Sequence, residues 1–431
     1  MIIPSIDIQG GETVQLVGGK KRALSAGDPI PLAQKFGRVG EIAVIDLDAA
    51  LSTGSNASQI RELCKVARCR VGGGIRDLDT AIDWLDAGAA KIILGTAARP
   101  ELLSQLPKER VIAALDAVHQ ADGTGEVVDE GWTRSTGAGV LEKIEQLRPY
   151  VSGFLITFVE REGRLTGIDV PTIKSYIAAA AGAKVTIAGG VATAEEIATV
   201  DELGADAQIG MALYTGRMSL AGGFCSMLNS DRADGLWPTV VTNPHGQMLG
   251  LVYSNVESVD RSLETGDAHY WSRKRGLWRK GESSGNVQKL ISIDADCDRD
   301  SLRFTVHQSG SGFCHLPQST CFGNLHGITE LQQTLMDRLE TAPPDSYTRR
   351  LFESPGLLAA KIREEADELV EANTRDEVVH EAADLVYFAL TRLVKEKVDW
   401  IEIEKELDRR SLKISRRGGD AKVSIDSKET Q

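Results

Sequence analysis

Between Asp294 and Asp300 the chain reads DADCDRD, four carboxylates around the thiol of Cys297. Cys314 and Cys321 follow within the same window, and no CxxC pair is present, which argues against a zinc ribbon. Three thiolates with no obvious fourth protein ligand leave Zn²⁺ an open position, the arrangement of a catalytic site. There the ion supplies an ionised water able to attack a purine ring carbon. His315, beside Cys314, either moves protons or orients a neighbour. Asp296, Asp298 and Asp300 alternate with other residues, so an extended segment would turn them to one side. Three hard oxygen ligands suit Mg²⁺, as the thiolate between them suits Zn²⁺. The competing reading is an acidic turn around a buried cysteine, and the downstream cysteines weigh against it.

A second set of carboxylates lies further on. REEADELVE places Glu364, Glu365 and Glu368 on one helical face, and HEAADLVYF does the same for Glu381 and Asp384. Like charges this close repel unless water screens them or cations neutralise them. A solvated face is the ordinary explanation. Glu381 and Asp384, however, abut ADLVYFAL, an apolar run that must be buried. Acids at the edge of a buried face on two helices can converge on Mg²⁺, which bridges phosphate oxygens and stabilises a leaving pyrophosphate.

The third constellation is at the start. Asp7 and Asp116 each end a β-branched run, and such a pair can work from opposite sides of one cavity, one carboxyl taking a proton while the other gives one. Capping the next helix is the plainer job for each. Gly73–Gly74 and Gly189–Gly190 leave backbone amides uncovered at helix starts, where anions bind. Two equivalent clusters predict two phosphates, one at each end of a substrate.

The elements that must position these residues change in character along the chain. The first 224 or so residues alternate short strands (MIIPSIDI, EIAVIDLD, KIILGT, RVIAALDA, GFLITFV, KVTIAGG, AQIGMA) with amphipathic helical runs. That alternation points to a parallel sheet closed into an α/β (β/α)8 barrel. The region also repeats itself: PSID to Asp7 is echoed by AALD to Asp116, GGGIR by AGGVA, and LGTA by IGMA, in the same order at nearly the same spacing. Two duplicated half-barrels account for this. From about residue 229 to 327 the chain turns to tryptophan, glycine and short β-like runs, a small α+β, mostly-β metal-binding domain. From 328 to 431 it is helical, an all-α domain, and its last stretch, RRGGDAKVSIDSKETQ, reads as a polar tail.

Composition narrows the function classes. The net charge of −13 argues against nucleic acid as a partner, without excluding phosphorylated metabolites. No apolar run reaches membrane-spanning length, and MIIPSIDI is no signal peptide, so a cytoplasmic protein with no membrane partner is expected. Cys64, Cys69 and Cys225 are scattered and read as packing residues.

Three resemblances follow from the motifs. IPSIDIQGGETVQLVGG, VIDLDAA, VGGGIRDLDTA, LGTAA, EGWTRSTG and AGGVAT resemble the phosphoribosylformimino-aminoimidazole carboxamide ribotide isomerase family. The resemblance implies an Amadori aldose–ketose rearrangement with Asp7 as base, Asp116 as acid and Thr157 assisting. It places Gly73, Gly74, Arg76, Gly95, Thr96, Gly189, Gly190 and Gly210 near the phosphates. The chain differs from that family at Glu162, where an aspartate is usual, at Met211, and in DAVHQADG after Asp116. ETGDAHYWSRKRGLWRKGESSGNVQ with DADCDRD and CHLPQSTCF resembles phosphoribosyl-AMP cyclohydrolase. It implies hydrolytic opening of an adenine ring, and a homodimer in which Cys297 of one subunit joins Cys314 and Cys321 of the other. Arg273, Arg275, Lys280 and Ser284 would hold phosphate and ribose. Asp294 stands outside that metal pattern. The helical segment is similar to the MazG-like nucleotide pyrophosphohydrolases, and with PPDSYTRRLFESPGLLAAKIREEADELVEA specifically to phosphoribosyl-ATP pyrophosphohydrolase. Glu365, Glu368, Glu381 and Asp384 would bind Mg²⁺, Glu364 would lie beside them, and Lys361 with the Ser346–Tyr347–Thr348 turn would meet phosphates. His380 has no assigned role. The expectation is a multifunctional histidine-biosynthesis enzyme acting on phosphoribosyl nucleotides, ATP-linked substrate included. The alternative keeps the two hydrolases and makes the barrel a scaffold.

Overall fold

The computed structural model describes residues 1–19, 21–119, 124–129, 131–132, 134–316 and 318–415. The polar tail from Arg416 and part of the loop after Asp116 (120–123) lie outside the described residues. The chain divides into two compact units, Met1–Met227 with the chain from Ser411, and Leu228–Arg410.

In the first unit eight parallel strands close on themselves: β1 Ile2–Gln9, β2 Ile42–Asp46, β3 Cys69–Gly72, β4 Lys91–Leu94, β5 Val111–His119, β6 Gly153–Phe158, β7 Lys184–Ala188 and β8 Asp206–Ile209. Each pairs with the next, and β8 returns to β1. These are the β-branched runs of the sequence. Ile93, Ile112, Leu155 and Ala188 form a buried cluster with Ile45 and Ala114 packed against it. At the N-terminal strand ends, buried Arg70 bonds Glu41 at 2.7 Å and reaches Thr186 and Asp206. A satisfied buried ion network there closes the barrel floor and leaves the C-terminal ends for chemistry. Two antiparallel excursions interrupt the strand–helix rhythm: Glu12–Val17 with Lys21–Gly27 after β1, and Gly125–Asp129 with Arg134–Gly139 after β5. Ile414 and Ser415 backbone N–H groups donate to Asp86, so the described end of the chain docks on this unit.

The second unit holds a four-stranded sheet of β9 Trp237–Thr242, β10 Met248–Ser254, β13 Gln288–Ala295 and β14 Leu302–Gln308, in the order β10–β9–β14–β13, with a separate ribbon of β11 His269–Ser272 and β12 Gly276–Arg279. The helices α1 Ile328–Thr341, α2 Tyr347–Glu353, α3 Pro355–Glu371, α4 Arg375–Lys395 and α5 Trp400–Ser411 follow. Leu335, Phe352, Leu390 and Val394 form one core there, and Leu351, Leu358 and Phe388 another. A capping box at Thr374 and Glu377 starts α4, fixing the register that turns Glu381 and Asp384 toward α3.

Candidate active sites

In the barrel, Asp7 and Asp116 stand near the C-terminal ends of β1 and β5. Thr157, the register partner of Asp116 on β6, donates to its carboxyl, and so does the Trp132 ring from the excursion after β5. Ser5, two residues before Asp7 and therefore on the same strand face, donates to Asp7 at 2.8 Å. Burial pushes the Asp7 carboxyl up to about 6 and raises that of Asp116. A third carboxyl joins them. Glu162, just past the turn after β6, is pushed up to about 8, by burial first and then by the charges of Asp7 and Asp116. Sequence reasoning noted Glu162 only as a departure from a family pattern and missed Ser5 and Trp132. Ser5 had a signal, its spacing from Asp7; Glu162 and Trp132 reach in on loops and had none.

The glycine pairs differ from expectation in one respect. They precede the helices by several residues, and the helix starts are already capped, by Asp77 on the Thr80 N–H and by Thr193 with Glu196. An anion at these glycines would meet the turns themselves. Gly73 and Gly189 both hold positive φ, +96° and +84°, and a Cβ would strike the Asp46 carbonyl at the first and the Phe158 carbonyl at the second. The halves are thus equivalent in geometry. Gly95 and Thr96 are exposed at the end of β4, and a Cβ on Gly95 would meet nothing within 4 Å. Gly210 sits against Gln15. Arg76 donates to the Ala49 and Ala50 carbonyls and to Ser52.

In the second unit DADCDRD is a turn rather than an extended run. The strand stops at Ala295, Asp296 accepts from the Asp300 and Ser301 N–H groups, and Arg299 takes φ 65°. The turn still brings Asp296, Asp298 and Asp300 together, with oxygen atoms all within 4.8 Å. Cys314 and Cys321 touch, and burial followed by the Cys314 thiolate raises the Cys321 thiol. Cys297 is exposed and forms no three-donor group with them among the described residues. His315 is exposed beside them, as are Leu316 and Phe322. Lys280 leaves the basic ribbon to stand by this thiol pair, donating to the Phe313 carbonyl at 2.7 Å. Arg273 lies 5.0 Å over the Tyr253 ring and Arg275 5.1 Å over Trp278. Ser284 is exposed and accepts from the Asn286 N–H.

On the helices, Glu365, Glu381 and Asp384 bring oxygen atoms within 4.8 Å across α3 and α4, and Glu364, Glu365 and Glu368 do so along α3. Glu365 is buried. Burial, then the charges of Glu365, Glu381 and Glu364, raises the Glu368 carboxyl. Lys361 bonds Glu364 at 3.0 Å and Glu365 at 2.6 Å instead of standing free for phosphate. The Ser346 side chain caps α2, Thr348 is buried against Arg338, and Tyr347 is exposed, so the turn offers little to a phosphate beyond Tyr347. His380 lies 3.6 Å from Asp384. Hard oxygen donors converge in two places, as Mg²⁺ prefers, while of the three soft thiols only Cys314 and Cys321 meet.

Comparison with known proteins matches three family models to successive segments of the chain. The family described as Histidine biosynthesis protein matches residues 1–219, Phosphoribosyl-AMP cyclohydrolase matches 250–323, and Phosphoribosyl-ATP pyrophosphohydrolase matches 328–411. A histidine biosynthesis bifunctional protein of Schizosaccharomyces pombe is 54% identical over 49% of this chain and 51% of its own length. A histidine biosynthesis trifunctional protein of Neurospora crassa is 52% identical over 50% of this chain and 24% of its own length. A histidine biosynthesis bifunctional protein of Pyrococcus furiosus is 36% identical over 42% of this chain and 95% of its own length. The chain therefore spans about half, and about a quarter, of the lengths of the first two relatives. With one family matched across half of the chain and two more following in order, the chain belongs to the histidine biosynthesis proteins, carrying a barrel, a cyclohydrolase and a pyrophosphohydrolase domain.

Proposed function

We propose that the chain performs three successive steps on a phosphoribosyl nucleotide. The helical domain removes pyrophosphate from phosphoribosyl-ATP, the middle domain opens the adenine ring of phosphoribosyl-AMP, and the barrel isomerises the opened aminoaldose to an aminoketose. Domains at 1–224, 229–327 and 328–431 would carry the steps. The observation that supports this best is that the three matched families follow one another along the chain and that their products and substrates interlock.

In the barrel, Asp7 takes the proton and Asp116 gives one, with Thr157 and Trp132 holding the Asp116 carboxyl. At neutral pH Asp7, at about 6, is mostly ionised, while Glu162, at about 8, keeps its proton beside both. Glu162 is thus a second proton donor in reach of the same substrate. Gly73–Gly74 and Gly189–Gly190, with Gly95, Thr96, Arg76 and Gly210, would border the two phosphates.

In the hydrolases, Zn²⁺ on Cys297, Cys314 and Cys321 would supply a Lewis acid and an ionised water, and Mg²⁺ on Asp296, Asp298 and Asp300 and on Glu365, Glu368, Glu381 and Asp384 would neutralise phosphate charge. That Cys297 forms no three-donor group with the other thiols among the described residues supports a homodimer that completes each thiolate set across subunits. Arg273, Arg275 and Lys280 orient the nucleotide, and His315 is placed to move a proton. Among the described residues no helix is long and apolar enough to cross a membrane; a cytoplasmic location is part of the proposal.

The test is to supply phosphoribosyl-ATP with Mg²⁺ and Zn²⁺ and identify every product by mass and chromatography. Pyrophosphate, the ring-opened aldose and its ketose isomer should appear in turn. Accumulation of the aldose alone would leave the barrel without its assigned reaction, and persistence of phosphoribosyl-ATP would overturn the whole reading.

A further inference from the structure

One cluster in the barrel unit is used by none of these steps. His119, the last residue of β5, stacks on Phe158, the last residue of β6, with ring centroids 4.1 Å apart and planes 13° apart. Its Nε2 lies 2.7 Å from the Tyr176 hydroxyl on the helix Val170–Ala180. Its Nδ1 lies 3.2 Å from Glu160 Oε1, off the line of a straight hydrogen bond, and its backbone N–H donates to Glu160 Oε2 at 3.3 Å. A carboxylate only accepts, so Nδ1 carries the proton and Nε2 accepts from Tyr176. Glu160 belongs to the single turn Val159–Arg161, and Glu162 comes next. Arg161 also lies 5.7 Å from the Phe158 ring centroid and donates to the Gly167 carbonyl, while the Gly167 N–H donates to the Gly190 carbonyl.

The ends of the loop after β6 are thereby held at two places, by His119 at its start and by Gly190 further on. Between them the Glu162 carbonyl accepts from the Gly18 N–H, and a Cβ on Gly189 would lie 3.1 Å from Glu162 Oε2. We propose that His119 is a positioning residue for the isomerisation: through Glu160 and Phe158 it fixes the Val159–Arg161 turn so that Glu162 faces Asp7 and Asp116. The inference rests on the isomerase reading of the barrel. His119 itself is kept neutral by burial, with Glu160 and Asp169 opposing that and Arg161 adding to it; its role is steric and dipolar rather than that of a switch.

The experiment measures isomerisation of the aminoaldose by the full chain across pH. In wild type the alkaline limb follows Glu162, whose charged neighbours are Asp7 and Asp116. His119→Leu should lower kcat about tenfold to a hundredfold with KM nearly unchanged, the loss expected of a misplaced proton donor. Its alkaline limb should move down by about one pH unit as water reaches Glu162. His119→Asn, which restores a donor toward Glu160, should recover part of both effects. Tyr176→Phe, which removes only the outer bond, should leave the limb in place. A folded His119→Leu protein with the wild-type limb overturns the proposal. If His119→Leu fails to fold, Glu160→Gln carries the same prediction. Should wild type itself lack isomerase activity, the barrel's reaction is wrong, and ¹³C titration of the Glu162 carboxyl in wild type and variant still decides whether His119 places it.

Discussion

Glu162 is the residue that most changes the account of the barrel. Three carboxyls face one space, and Glu162 holds its proton more tightly than Asp7, because it is buried and because its ionisation would add charge beside Asp7 and Asp116. That has a cost in stability whose sign follows from linkage. The folded carboxyl sits at about 8 against an ordinary 4.5, so folding binds a proton. The contribution to stability is complete below pH 4.5 and is lost as pH rises toward 8. Glu162→Gln keeps the neutral shape at every pH. Its melting temperature should match wild type at pH 4 and exceed it by several degrees at pH 9, a difference on the order of a few kcal/mol. Calorimetry at the two pH values reads this directly, and equal melting temperatures at pH 9 would mean that Glu162 is hydrated and ionised without penalty.

At the scale of elements, the duplicated glycine turns are where local backbone and site geometry meet. Gly189 follows β7 with φ +84°, and a side chain there would lie 2.6 Å from the Phe158 carbonyl, the strand end on which His119 stacks. Gly189→Ala should therefore lower the unfolding free energy by about 1–3 kcal/mol, read from a lower denaturant midpoint, and weaken isomerisation more than that loss of fold explains, because the turn toward Glu162 must give way. An alanine variant with wild-type stability and rate would show the turn to be slack. Much of this was legible beforehand. β-branched runs ending in Asp7 and Asp116 and the echoed GGGIR and AGGVA announce strands, their ends and the duplication, because alternation and strand-end glycine are local signals. The hairpins Glu12–Val17 with Lys21–Gly27 and Gly125–Asp129 with Arg134–Gly139 were not legible, since both interrupt the strand–helix rhythm. Trp132 enters the site from the second of them. DADCDRD carries a period-2 pattern, yet Asp296 caps its own loop and ends the strand at Ala295, a local side-chain bond that periodicity does not report. The paired acids of α3 and α4 were legible from helical spacing, but not that Lys361 would lie on Glu364 and Glu365.

At the scale of the whole molecule, the thiols decide how many chains make one working centre. Cys314 and Cys321 touch, whereas Cys297 stands on a different loop. Exposed Leu316 and Phe322 flank the pair, an apolar rim that a second subunit would cover. If each centre takes Cys297 from one subunit and the pair from the other, two inactive variants should rescue each other. Cys297→Ala and Cys314→Ala proteins each lack one kind of donor and should each lose ring opening while still releasing pyrophosphate. After unfolding and refolding together in equal amounts, about half of the dimers are mixed. Each mixed dimer has one centre with all donors intact and one lacking both, so ring opening should return to about a quarter of the wild-type rate. Accumulated phosphoribosyl-AMP is the readout, with Zn²⁺ retained per subunit as the second measure. Centres completed within a single chain would show no recovery at any mixing ratio, since every chain would carry its own defect.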